Sequence, residues 1–315
     1  MFEFLSTFEV FLETGLVFSL IAMGYYVSYS VLDFPDLTVE GTFVTGAVTF
    51  SLFAVRGYNV WLGLICAFIA GAFFGSITGF LNVRLKIRPL LCGILVSTAL
   101  LSINIIATTG GMYGDFAGRD SSTSISFGRR VKTLHDAFFG EAIPPKIENI
   151  PVRDLVIFLV VALVLKFALD FYFKSKNGLL LRAAGNNENF VKMLGVDPGN
   201  SRIIGLAIGN GYAAVAGALY THISAGSNQS MGIGTIVIGL ASLIIGLSIF
   251  RNVRFLKPTT KVIIGAVLYQ ACLTLAQKLG VPSSYNKLIM SLIFTLALIL
   301  GSKLNIKGGD GNVRA

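Results

Sequence analysis

A group of oxygen-bearing side chains lies beside a proline, between the first two apolar segments of the chain. Asp33, Asp36, Thr38 and Glu40 flank Pro35, which prevents one continuous helix at this point. A helix that is broken inside a bilayer frees backbone groups, and these can bind a polar solute together with nearby side chains. The same residues could instead cap a helix that starts after the proline, through Asp36 or Thr38. The pattern leaves both interpretations open, a solute site and a helix cap.

A second polar segment lies in the middle of the chain, between two further apolar segments. Residues 178–196 read GLLLRAAGNNENFVKMLGV, which predicts a loop followed by a short amphipathic helix. A short amphipathic helix can lay its apolar face into a groove on another protein. The segment is therefore predicted to dock a soluble partner.

Several other polar residues lie within apolar segments, where an unpaired polar group is costly. Lys166 and Asp170 are four residues apart, so they share one helix face and are expected to pair with each other. Four uncharged residues could either line a pathway or join helices: Asn104, Asn210, Tyr212 and Gln270.

The sequence lacks the residues that several kinds of enzyme chemistry require. The sequence has no G-x-x-x-x-G-K-[ST] phosphate loop and no G-x-S-x-G elbow. Its histidines, His135 and His222, are far apart and outside any zinc-protease motif. We expect no enzyme activity and no metal or cofactor. The cysteines have no metal-site spacing and are predicted to pack in the core: Cys66, Cys92 and Cys272.

The composition indicates an integral membrane protein built from helices. The chain has 315 residues, of which 54% are hydrophobic and only 13% charged, and its apolar residues form continuous runs of membrane-crossing length. The fold is predicted to be an all-α polytopic membrane helical bundle with roughly 8–10 spans, and residues 1–315 are predicted to form a single domain. One or two helices should be broken or re-entrant, near 41–55 and in the glycine-rich stretch 232–246. The expected segments are 11–32, 41–55, 59–83, 89–109, 155–173, 202–222, 231–250, 261–278 and 286–302.

The charges of the loops predict the orientation of the chain. The loops 84–88, 174–202 and 251–261 are net positive, whereas 223–230 is uncharged and 110–154 has zero net charge. The positive-inside rule therefore places the basic loops in the cytoplasm and 110–154 outside. Nine full spans would put the N-terminus outside, and a re-entrant segment near 41–55 would put it inside.

Small residues recur every fourth position in two apolar segments. Gly71, Gly75 and Gly79 form one such series, and Gly205 and Gly209 begin another. Series of this kind let helix backbones approach closely within a membrane. We expect packing within the chain, with a contact between two copies as the alternative.

Four stretches, in this order, resemble the permeases of branched-chain amino acid and ribose ABC importers. Residues 34–43 (FPDLTVEGTF) resemble the early-span motif, and 86–94 (KIRPLLCGI) resemble a basic loop that runs into a proline-started span. Residues 178–196 resemble the cytoplasmic coupling segment, and 238–246 (IGLASLIIG) resemble a later glycine-rich span. The similarity is greatest to permeases associated with uptake of tryptophan or tyrosine. The long polar stretch 110–154 departs from the family pattern.

The resemblance implies a transport subunit in the plasma membrane of a prokaryote, which imports a small solute by ATP-driven alternating access. The expected solute is an amino acid, aromatic or branched-chain. Implied partners are a cytoplasmic ATPase dimer, which would hold ATP and Mg²⁺, a second permease copy in a homodimer, and an external substrate-binding protein.

The resemblance assigns a role to the coupling segment, and the polar residues described above give the candidate substrate path. A coupling segment over about 178–198 would contact the ATPase through polar and apolar side chains, with glycines that let the chain turn at its ends: Arg182, Gly185, Asn186, Glu188, Lys192, Met193, Leu194, Gly195 and Val196. The substrate path would include Asp36, Thr38, Glu40, Gly41, Thr42, Asn104 and Asn210.

The alternative is a secondary transporter driven by an ion gradient. It would need a charge relay at the middle of the membrane, for which Glu40 and Asp170 are the candidates.

Overall fold

The structure is a computed structural model. It describes residues 2–108, 124–126 and 152–306, apart from 194, 196, 252, 254, 279, 281, 283 and 284. The greater part of the predicted external stretch 110–154 lies outside the described residues, as do Leu194 and Val196.

The described residues form a bundle of helices. The helices are α1 (Phe2–Tyr25), α2 (Thr38–Val55), α3 (Val60–Val83), α4 (Pro89–Thr108), α5 (Val152–Lys174), α6 (Lys176–Asn186), α7 (Glu188–Met193), α8 (Pro198–Ser224), α9 (Thr235–Ile249), α10 (Pro258–Lys278) and α11 (Asn286–Ile306). The strands β1 (Ser124–Ser126) and β2 (Gly226–Asn228) form one antiparallel pair. Within the described residues, eight helical segments are long and apolar enough to cross a membrane, which confirms the predicted polytopic helical bundle.

The predicted break at Pro35 is present. Helix α1 continues as a π-helix, Tyr26–Val31, and residues 32–37 then have no helical structure. Helix α2 begins at Thr38, whose backbone N–H donates to the Asp36 carboxyl oxygen Oδ1 over 2.9 Å. Asp36 therefore satisfies one of the free N–H groups at the start of α2, as one of the two interpretations of this region required.

Close packing of glycine against backbone joins α3 and α8. A Cβ on Gly75 would collide with the carbonyl oxygen of Leu206, and a Cβ on Gly79 would lie 2.8 Å from Cα of Ile203. On the other side of α8, Gly209 lies against the backbone of Gly24 in α1. The glycine series therefore packs within the chain, as expected, and the alternative contact between two copies is wrong for these positions.

The ends of the bundle differ in charge. Three basic loops lie at one end, where Arg84 donates to the side chain of Asn200 and Lys257 pairs with Asp170. At the opposite end β1 pairs with β2, so that Ile125 lies opposite Ser227. The positive-inside rule assigns the basic end to the cytoplasm.

The direction of α1 indicates on which side of the membrane the N-terminus lies. Val31, at the end of the π-helix, contacts Gly185 of α6 at the basic end. Helix α1 therefore starts at the opposite end of the bundle, where the strands lie. This agrees with the alternative that placed the N-terminus outside.

Two local predictions need correction. The first part of 178–196, expected to be a loop, belongs to helix α6, because residues 179–184 are strong helix formers and the hydroxyl of Ser175 accepts from Gly178 N–H at the start of the helix. Helix α9 is unbroken. The irregular part of the glycine-rich stretch lies before it, in a 3₁₀-helix, Gln229–Gly232, and at Gly234, which has φ = 96°.

Candidate functional site

A cluster of buried polar side chains lies at the break between α1 and α2. Nδ2 of Asn210, on α8, donates to Oδ2 of Asp36 over 2.6 Å, and the Thr42 hydroxyl donates to Oδ1 of Asn210 over 2.9 Å. The hydroxyls of Thr38 and Thr78 lie 2.9 Å apart, which joins α2 to α3. All five side chains are buried. The break is therefore held by side chains from three different helices.

Two more hydrogen bonds extend the cluster. The hydroxyl of Tyr25 donates to the carbonyl oxygen of Asp36 over 3.2 Å, and the amide of Asn104, on α4, donates to the carbonyl oxygen of Gly41 over 3.2 Å. Of the residues predicted for the substrate path, Asp36, Thr38, Thr42 and Asn210 form one hydrogen-bonded network. Asn104 and Gly41 form a separate pair, and Glu40 bonds elsewhere, to Gly234.

Glu40 differs from the rest of the cluster because it is only partly buried. Its Oε1 accepts from the backbone N–H of Gly234 over 2.9 Å. Gly234 is the residue before α9, has a left-handed conformation, and provides no side-chain cap to that helix. A carboxylate near a helix N-terminus interacts favourably with the helix dipole. Glu40 therefore joins α2 to the start of α9.

A cavity of about 290 Å³ lies between α2, α4 and the segment that leads into α9. Of the predicted path residues, Glu40 and Gly41 line it. The remaining lining side chains are amides, hydroxyls and aliphatic groups: Val44, Ser97, Leu101, Asn228, Gln229, Ser230 and Ile233. A second cavity of about 330 Å³ between α2, α3 and α4 has mainly apolar walls and contains Arg56 as its charged residue.

The predicted coupling segment forms two short helices at the basic end, α6 and α7, separated at Asn187. The Arg182 guanidinium lies 4.5 Å from the ring centre of Phe173, on α5. Asn186, Lys192 and Met193 are exposed, and Met193 is 85% exposed. An exposed methionine is a flexible apolar group that adapts to a groove on a partner.

The glycines of this segment have different roles. Gly195 has φ = 74°, which fits its predicted role in a turn. Gly185 was also predicted to let the chain turn, and this is wrong because it lies inside α6. A Cβ on Gly185 would collide with the carbonyl oxygen of Val31, so this glycine allows α6 to pack against the π-helix that precedes the break.

Glu188 holds α7 in place. Its Oε1 lies 2.8 Å from the Lys192 ammonium nitrogen, and its Oε2 lies 2.8 Å from a guanidinium nitrogen of Arg202, on α8. The hydrogen bond from Lys192, followed by the charge of Arg202, holds the pKa of Glu188 below its ordinary value. Glu188 thus makes ion pairs within the chain.

Other polar residues from the sequence join helices. Asp170 contacts Lys166 at 3.8 Å, as predicted, and also Lys257 and the Thr259 hydroxyl. Asp170 therefore lies among cations at the basic end, and this position is unsuited to a charge relay at the middle of the membrane. The hydroxyl of Tyr212 donates to the carbonyl oxygen of Leu165, which joins α8 to α5.

Sequence reasoning missed three members of the central cluster: Tyr25, Thr78 and Gly234. Thr78 lies within the glycine series on α3, between Gly75 and Gly79, and threonine in an apolar helix gives no signal of its own, since its hydroxyl can bond within the helix. Gly234 contributes its backbone N–H, which no side-chain pattern reveals.

A polar helix break inside a bundle of membrane-length helices is a feature of many multi-pass transport proteins. Residues 8–302 match the family described as branched-chain amino acid transport system / permease component, and the chain belongs to that family. It is accordingly a membrane transport subunit.

Three relatives show the range of this similarity. A tyrosine transport system permease protein of Clostridioides difficile is 34% identical over 292 residues, covering 93% of this chain and 90% of the relative. A fructose import permease protein, FruG, of Bifidobacterium longum is 23% identical and covers 87% of this chain and 76% of the relative. A probable branched-chain amino acid transport permease protein, LivH, of Methanocaldococcus jannaschii is 23% identical, with 96% and 93% covered.

Proposed function

We propose that this chain is the permease subunit of an ATP-driven importer for an amino acid, aromatic or branched-chain. The observation that carries the proposal is the position of α6 and α7, which lie at the basic end and expose Met193. The similarity to a tyrosine transport permease along nearly the whole chain supports an amino acid as the solute.

The proposed importer contains further subunits. A cytoplasmic ATPase dimer, which holds ATP and Mg²⁺, binds α6 and α7. A second copy of this chain completes the translocation path, and an external substrate-binding protein delivers the solute. Selection of the solute is shared with that binding protein, so relatives with similar permeases can serve different solutes.

The contacts of α6 suggest how force from the ATPase reaches the polar cluster. Gly185 packs against the carbonyl oxygen of Val31, and the break that follows is joined to α8 by the Asp36–Asn210 hydrogen bond. A shift of α6 would therefore move the π-helix and change the geometry of the break. Packed elements that have two discrete arrangements can convert such small shifts into alternating access.

Uptake by the purified transporter tests this function. The complete transporter is isolated from its native host through a tag on this chain and reconstituted into vesicles with the binding protein added. We expect uptake of an aromatic or branched-chain amino acid when ATP is supplied on the α6–α7 side. Uptake that an ion gradient drives without ATP would overturn the proposal in favour of a secondary transporter.

A further inference from the structure

The cavity beside Glu40 has an unusual distribution of charge. Among the described residues that line it, Glu40 is the single charged one, and the other side chains are amides, hydroxyls or aliphatic groups. Within the part of the chain that the structure describes, no lysine or arginine forms an ion pair with Glu40. A carboxylate in a partly dry environment without a cation is an incomplete ion pair, so a bound cation would gain from its charge.

The oxygens of Glu40 are not fully used. Oε1 accepts from the backbone of Gly234, whereas Oε2 makes no hydrogen bond to any residue in the described ranges. Gln229 lines the same cavity, and its amide oxygen is buried and lacks a hydrogen-bond partner among the same residues. Buried polar atoms are normally satisfied, so two unpaired acceptor oxygens on residues that line one cavity fit a donor that is supplied from the cavity.

The other residues that line the cavity indicate which further groups such a ligand has. Ser97 and Ser230 offer hydroxyls, and Val44, Leu101 and Ile233 offer an aliphatic surface. A volume of about 290 Å³ is at the low end of the range for small-molecule pockets. These features suit a small molecule that has an ammonium group at one end and an apolar group at the other.

We propose that Glu40 and Gln229 bind the ammonium group of the transported solute, which makes this cavity a solute site within the permease. The inference rests on the proposed function, since an amino acid carries such a group, and it assigns a chemical role to one of the predicted path residues. The buried members of the cluster, Asp36 and Asn210 above all, hold the site in shape without touching the solute.

The competing explanation is that Glu40 only caps α9 through Gly234. The variant Glu40→Gln separates the two roles, because the amide oxygen of glutamine can still accept from Gly234 N–H while the charge is lost. Asp33→Asn is the matched control, since it removes an exposed carboxylate that does not line this cavity.

Ligand protection of the purified full-length chain tests the proposal without any ATPase. The chain in detergent micelles is heated in the presence of tyrosine, of tyramine, which lacks the carboxylate, or of 3-(4-hydroxyphenyl)propanoate, which lacks the amine. We expect tyrosine and tyramine to raise the melting temperature and the propanoate to leave it unchanged. Glu40→Gln should need at least about tenfold more tyramine for half-maximal protection, because a hydrogen bond to a charged group is lost. Asp33→Asn should respond like the native chain.

Three outcomes would overturn the proposal. These are protection by the propanoate equal to that by tyramine, a native response of Glu40→Gln, or no protection of the native chain by either amine. The proposed function would fail if uptake occurred without ATP. In that case tyramine would still protect the chain, and this protection would still depend on Glu40. The two claims are therefore tested separately.

Discussion

Asn210 and Asp36 are 174 positions apart in the chain, and their side chains meet over 2.6 Å in the interior of the helical bundle. Asn210 lies near the middle of α8, which packs against α1, α2 and α3. Asp36 lies in the break between α1 and α2 and accepts from the first N–H of α2 with its other oxygen. One carboxyl group thus determines both where α2 begins and how the break is attached to α8.

Asp36→Asn should destabilise the protein. The new amide would place an N–H₂ group against Nδ2 of Asn210, so that two donors face each other in a buried site. We expect a loss of about 1–3 kcal/mol in the free energy of unfolding, measured by titration with denaturing detergent. Asp33→Asn, at an exposed position three residues earlier, should unfold like the native chain. Equal midpoints for the two variants would contradict this role of Asp36.

Gly75→Ala should weaken the contact between α3 and α8. The added methyl group would collide with the carbonyl oxygen of Leu206 and would lie 2.7 Å from Cβ of Asn210, so the helices would have to separate. Overpacking of this kind costs about 1–3 kcal/mol, which thermal unfolding in detergent would detect. The neighbouring variant Ser76→Ala is the control, because the hydrogen bond of that hydroxyl within the described ranges lies in its own helix, to Ala72. Stability of Gly75→Ala equal to that of Ser76→Ala would show that the helices are not in close contact.

The attachment of α7 should depend on pH through Glu188. Its pKa is lowered in the folded protein by Lys192 and Arg202, so its stabilising effect is complete above the ordinary pKa of glutamate. The effect is lost as the pH falls through the lowered value, because the carboxylate is then neutral. Hydrogen exchange of residues 188–193 should therefore rise on acidification, once the intrinsic pH dependence of exchange is removed.

Glu188→Gln is the test of that assignment. The variant should show faster exchange in α7 at neutral pH and no further increase attributable to acid. An acid-dependent increase of the native size in this variant would assign the effect to another group.

Much of the architecture follows from short-range features of the sequence. The apolar runs predict the helices, Pro35 predicts the break, and the spacing of Lys166 and Asp170 predicts their pairing. The glycine series on α3 predicts close packing. These features could be predicted because each depends on neighbours within one or two helical turns.

The pairings between distant helices could not be predicted in the same way. The sequence indicated that Asp36, Asn104 and Asn210 needed partners, but which residues meet depends on the register of α2, α4 and α8. The role of Gly185 could not be predicted for the same reason. A side chain at this position would collide with the carbonyl group of Val31, which is far away in the chain. The helical state of α6 does not follow from its sequence alone, because its glycine and asparagine residues favour a loop whereas the leucines and alanines between them favour a helix.

Met193 provides the most direct test of the central claim, that α6 and α7 are where a separate ATPase drives transport. The reconstituted transporter is assayed for ATP-dependent amino acid uptake with Met193→Glu and with Met193→Leu, which keeps an apolar side chain. Because Met193 is 85% exposed, neither change should affect folding. We predict that Met193→Glu lowers uptake at least about tenfold, as loss of a central interface contact does, and that Met193→Leu transports like the native protein. Equal ATP-dependent uptake by the two variants would contradict the account.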